Sequence, residues 1–74
     1  MVKIQVLDRY AMPVKGARVF VKWSSGGHSE DRTNDEGIAD MGTSAGTAEY
    51  VQVWDDEVSG TMYLKDGINQ VSYR

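Results

Sequence analysis

The chain has 74 residues, 41% hydrophobic and 26% charged, with a formal net charge of -3 and no cysteine. That length holds one small domain over residues 1–74 and excludes a second. The composition excludes a disordered tail and a membrane span, and the missing cysteines remove disulfides, thiolate metal sites and cysteine nucleophiles together. An acidic balance also repels phosphate backbones and anionic lipid surfaces, so neither nucleic acid nor membrane is an expected partner.

Eight glycines against one proline cut the chain into short pieces. Met1 to Leu7 alternates Val2, Ile4 and Val6 with Lys3 and Gln5, the period-two pattern of a strand with one face in a core. Asp8 to Pro13 is a polar connection, and Pro13 biases Met12 toward extended backbone and keeps a helix from running through. A second strand runs from Ala17 through Val19, Val21 and Trp23, with Trp23 in the inward phase as a large core residue. Ser24-Ser25-Gly26-Gly27 predicts a hairpin turn, and His28 to Thr33, polar throughout, reads as an exposed or edge strand. Asn34 to Gly37 is a turn and Ile38 to Met41 a short strand, followed by a flexible connection over Gly42 to Gly46.

Thr47 to Ser59 is where helix and strand compete. Tyr50, Val51, Trp54 and Val58 share a helical face, but the same β-branched and aromatic residues favour a strand, with Asp55, Asp56 and Glu57 as a solvated turn. Strand is the expectation, and the phase slip between Ala48/Tyr50 and Val51/Val53 calls for a β-bulge. Val58 to Leu64 alternates again, Asp66-Gly67 signals a two-residue hairpin turn, and Val71 and Tyr73 mark a last strand. About seven strands with no helix predict an all-β fold, an antiparallel two-sheet sandwich.

One constellation within this pattern stands out: Val6-Leu7-Asp8, Met12-Pro13-Val14-Lys15-Gly16-Ala17, and Thr33-Asn34-Asp35-Glu36-Gly37. It resembles the carboxypeptidase regulatory-like domains and their transthyretin-like and collagen-binding B-type relatives. Gly46-Thr47 and Gly67 to Val71 extend the resemblance over most of the chain. The resemblance implies a seven-stranded, prealbumin-like sandwich opened by a hairpin, and an accessory module that scaffolds or binds rather than a catalyst. The isopeptide cross-link of the B-type relatives is not expected, because Val6 and Leu7 stand where its lysine belongs, Lys3 lies too early, and only Asn69 is suitably placed. The histidine set of the transthyretin-like hydrolases is missing as well, since His28 is the sole histidine. No basic-then-apolar leader opens the chain, as expected of a cytoplasmic or phage-borne protein or of a domain from a secreted parent. The resemblance leans toward the envelope or exterior.

Catalytic and metal chemistry finds little to build on. His28 lacks fellow ligands and reads as solvated, and Ser24 and Ser25 lack a nucleophile turn or oxyanion hole. Asp31, Asp35 and Glu36 around Thr33 and Asn34 make an oxygen-rich stretch, but its spacing misses the EF-hand pattern and Arg32 intrudes. No cofactor, metal site or enzyme activity is therefore expected. The aromatic residues carry the functional expectation. If Val51 and Val53 face the core, Trp54 projects outward beside Gln52, Asp55 and Asp56, with Phe20 and Tyr63 outward on other strands. Phe20, Gln52, Trp54, Asp55, Asp56 and Tyr63 are thus the candidate surface. It would be a docking patch for a protein partner or neighbouring domain, or a stacking platform for polysaccharide.

Overall fold

A computed structural model describes residues 1–73. Eight strands and no helix are present among them: β1 (Val2–Leu7), β2 (Arg18–Trp23), β3 (His28–Arg32), β4 (Ile38–Asp40), β5 (Gly46–Val53), β6 (Asp56–Ser59), β7 (Met62–Leu64) and β8 (Gly67–Ser72). They form two sheets. The smaller has the order β4-β1-β8; in the larger, β3, β2 and β5 lie side by side, and β6 and β7 both pair with the far edge of β5. The alternating apolar residues of the sequence meet between the sheets. Val2, Ile4 and Val6 of β1 share one core with Val19 and Val21 of β2 and Val51 and Val53 of β5, all fully buried, together with Leu64 and with Ala39, the register partner of Ile4. Trp23 is inward as its phase demands, only 8% exposed, and donates its indole N–H to Ser29 Oγ at 2.9 Å.

Thr47 to Val53 is strand, so the helical alternative is gone. The bulge is present: Lys22 pairs with Tyr50 and Trp23 with Ala48, which leaves Glu49 as the extra residue. It returns Ala48, Val51 and Val53 to one buried face despite their unequal spacing.

Three expectations are corrected. The count rises from seven to eight because Gly60 and Thr61 divide the piece Val58 to Leu64 between β6 and β7. The pairing is not antiparallel throughout, because β1 and β8 run parallel, from Val2 beside Gly67 to Leu7 beside Ser72. Neither of two expected hairpins forms one. β1 and β2 belong to different sheets, so the Asp8–Ala17 connection arches across the core, and Asp66-Gly67 likewise carries the chain from β7 in one sheet to β8 in the other. A two-residue turn signal specifies a reversal of direction but not which sheet the next strand joins. The Ser24–Gly27 hairpin does form, with Lys22 opposite His28.

The residues that carry the family resemblance come together at one end. Pro13 bridges to Leu7, and Val14 N–H donates to Val6 O at 2.9 Å. The buried Thr33 hydroxyl accepts from Ala17 N–H at 2.8 Å and donates to Val14 O at 2.7 Å, while its main chain exchanges bonds with Gly16 and Ala17. Asn34 Oδ1 accepts from Glu36 and Ile38 N–H at 2.9 and 3.0 Å, forming the turn that ends in Gly37. Gly37 has φ +75°, and a Cβ there would lie 2.7 Å from Val6 O and 3.1 Å from Pro13 Cβ. Only glycine meets both demands. The arch between the sheets is therefore clasped by Thr33 and Gly37.

Candidate functional site

The outer face of the larger sheet is built by the strand alternation that buries its inner face. On β2, burial of Val19 and Val21 turns Arg18, Phe20 and Lys22 outward, and the tight hairpin sets Arg32, Glu30 and His28 opposite them on β3. On the other side of β2, the register brings Gln52 against Phe20 and Tyr50 against Lys22. Phe20 sits between two rings. Its centroid is 5.1 Å from that of His28 and 6.2 Å from that of Tyr50, at interplanar angles of 18° and 21°, so the three rings stack across three strands with their faces turned on one another.

Charged groups rim this ladder. Arg18 Nη1 lies 3.4 Å from Glu30 Oε2, and Nη2 donates to Asp55 Oδ1 at 2.5 Å and to Trp54 O at 3.3 Å. The bond to Asp55, and then that to Glu30, raises the Arg18 pKa above its ordinary value, so the guanidinium stays charged throughout the handling range. Lys22 and Glu49 pair at 3.8 Å on the other flank. Trp54 occupies the first position of the two-residue turn between β5 and β6, with φ +57°, a conformation that side-chain-bearing residues seldom adopt. Its N–H donates to Arg18 O at 2.7 Å, and the Arg32 guanidinium lies 5.8 Å from its ring centre. Trp54 is 39% exposed.

Of the expected surface residues, Phe20 and Gln52 are register neighbours, and Trp54 and Asp55 join them through Arg18. Asp56 and Tyr63 do not. The Asp56 carboxylate accepts from Tyr73 OH at 3.0 Å, a link between the two sheets. Tyr63 is 64% exposed but sits opposite Thr47, seven residues along β5 from Trp54 and so roughly 20 Å away at the strand rise. Arg18, His28, Glu30, Arg32 and Tyr50 were not expected in the patch. The signal for most of them was available: the outward phase of β2 together with the Gly26-Gly27 turn fixes which β3 residues oppose it. Tyr50 depended on the position of the bulge.

The oxygen-rich stretch at the end of β3 and in the turn after it disperses into structural duties. Asp31 accepts from Asp40 N–H at 3.0 Å, Asp35 pairs with Lys15 at 3.8 Å, and Thr33 and Asn34 serve the clasp. Among the described residues no group of three histidine or acidic side chains could hold a metal ion. Asn69 is buried and bonded to Lys65 N and O, whereas Lys3 points outward, so the residues nearest an isopeptide pair lie on opposite faces of the smaller sheet. The outer face of the smaller sheet is different in kind, a shallow groove of about 590 Å³ lined by Lys3, Ile38, Asp40 and Ile68 among others. Comparison with family models, curated proteins and solved structures finds no match to this chain.

Proposed function

We propose that the chain is a non-catalytic interaction module of the carboxypeptidase regulatory-like kind, with a prealbumin-like sandwich, and that it docks a protein partner or neighbouring domain on the outer face of its larger sheet. The observation that carries this is the His28–Phe20–Tyr50 ladder, aromatic at its centre and rimmed by Arg18, Glu30, Arg32 and Asp55. Protein interfaces have this anatomy: aromatic anchors inside, arginine and polar groups around them. The family part of the reading is supported by the clasp, where residues of the Pro-Val-x-Gly-Ala and Thr33–Gly37 segments bond each other directly.

The test is affinity capture from the native cell with three forms of the chain: wild type, Phe20→Asp, and Gln5→Asp on the outer face of the other sheet. A protein retained by wild type and Gln5→Asp but lost from Phe20→Asp is expected. Retention unaffected by Phe20→Asp would retire the reading.

A carbohydrate-binding reading rests on Trp54, exposed beside Asp55. A pyranose needs an open ring face, and the ladder rings cover one another, which favours the protein reading. Titration of soluble polysaccharides against tryptophan emission separates the two: a shift that Trp54→Ala abolishes would favour sugar.

A further inference from the structure

Of the edge strands among the described residues β8 is the least protected, its link to the other sheet lying past its end, where Tyr73 OH donates to Asp56 Oδ2 at 3.0 Å. On one side the sandwich is closed, where Asp40 N–H of β4 donates to Asp31 Oδ2 of β3 at 3.0 Å. β3 itself carries Glu30, Asp31 and Arg32, β4 and β7 are three residues each, and β6 opens with Asp56-Glu57. Short length and charge are the usual defences of an edge. β8, Gly67–Ser72, has neither: six residues in unbroken register, with no charge and no proline. Its alternation is set by the parallel ladder. Gly67 N–H donates to Met1 O and Tyr73 N–H to Leu7 O, so the odd-numbered residues face β1, and the main-chain groups of Ile68, Gln70 and Ser72 face away from it.

The same side of the sandwich is incompletely covered. Met62 is only partly buried there, and a groove of about 530 Å³ lined by Gln5, Met62, Lys65, Ile68, Asn69 and Gln70 lies beside the edge. Ile68 is 45% exposed.

We propose that β8 pairs antiparallel with β8 of a second copy of this chain about a two-fold axis at Gln70, joining the two smaller sheets into one. That register sets Gln70 against Gln70 and Ile68 against Ser72 of the other copy, pairs that lie on the same face and place no like charges together. The three edge-facing residues of each strand give about six main-chain hydrogen bonds. A second copy fits better than a foreign strand because Gly67–Ser72 itself carries no charge by which to select one, Lys65 lying before the strand, and a copy matches it in length and register. The added strand also extends cover over Met62. Each chain carries net charge -3, so screening by salt strengthens the pairing. This surface is independent of the aromatic face.

Sedimentation of the purified chain from micromolar to millimolar concentration tests it, together with Gln70→Lys, which sets two like charges on the axis, and Gln70→Pro, which deletes an edge N–H that β1 does not use. The weight-average mass is expected to rise toward twice that of the single chain in wild type, more readily at high salt. It should stay at the single-chain value in Gln70→Lys with an unchanged far-ultraviolet spectrum. Amide exchange at Ile68, Gln70 and Ser72 should slow as wild type is concentrated. One mass at every concentration would overturn the proposal, as would a dimer that persists in Gln70→Lys or one abolished by Phe20→Asp instead.

Discussion

The clasp at Thr33 and Gly37 and the aromatic face of the larger sheet lie in the same small domain, but they are held by different means. The clasp is main chain against main chain. A buried threonine satisfies two backbone groups, and a glycine sits where no other residue fits. The face is side chain against side chain, half in water, with rings stacked across strands and ion pairs open to solvent. Interactions of the first kind are worth most because they cannot be replaced by water, and those of the second kind least. A domain this size has little stability to spare, and the proposed docking role gives a use to an aromatic and charged face that adds little to folding.

Substitutions sharpen this contrast in order of effect. Gly37→Ala meets both an unfavourable φ and backbone at 2.7 Å, so it should cost about 3 kcal/mol or more and leave the chain largely unfolded by circular dichroism. Thr33→Val keeps the volume but strands the Ala17 N–H and Val14 carbonyl. A loss of about 2 kcal/mol in urea denaturation is expected. Phe20→Ala, on the face, should lower stability by only about 1 kcal/mol, because its partners are cross-strand rings on a half-exposed surface. Arg18→Gln should move the urea midpoint least, and the small difference from wild type should fade in high salt. If the face variants proved as damaging as the clasp variants, the division of labour would be wrong.

How legible these regions were in the sequence follows from the same difference. The clasp announces itself through punctuation, Pro13, Gly16, Thr33 and Gly37, since backbone demands select particular residue types. The inward phases of β1 and β2 and the bulge in β5 were readable because burial imposes period two, and a slip in that period has few remedies. The face was half legible. Phe20 and Gln52 follow from phase and Asp55 from the acidic turn after Val53, where Trp54 also lies, whereas Arg18, His28 and Tyr50 enter only once the register across three strands is known. Asp56 and Tyr63 looked like their neighbours in sequence but were diverted by tertiary geometry, one to Tyr73 and the other to the far end of β5. The parallel β1/β8 pairing was invisible, because the choice of sheet after Asp66-Gly67 depends on the whole core and not on the turn.

Hydroxyl-radical footprinting of the chain, free and in its native assembly, tests the central claim most directly, since aromatic residues on and off the face report in one experiment. The account predicts that oxidation of Phe20, Tyr50 and Trp54 falls several-fold in the assembly, while Tyr10 and Tyr63, exposed elsewhere, oxidise as in the free chain. Protection of Tyr10 or Tyr63 with Phe20, Tyr50 and Trp54 unchanged would contradict it.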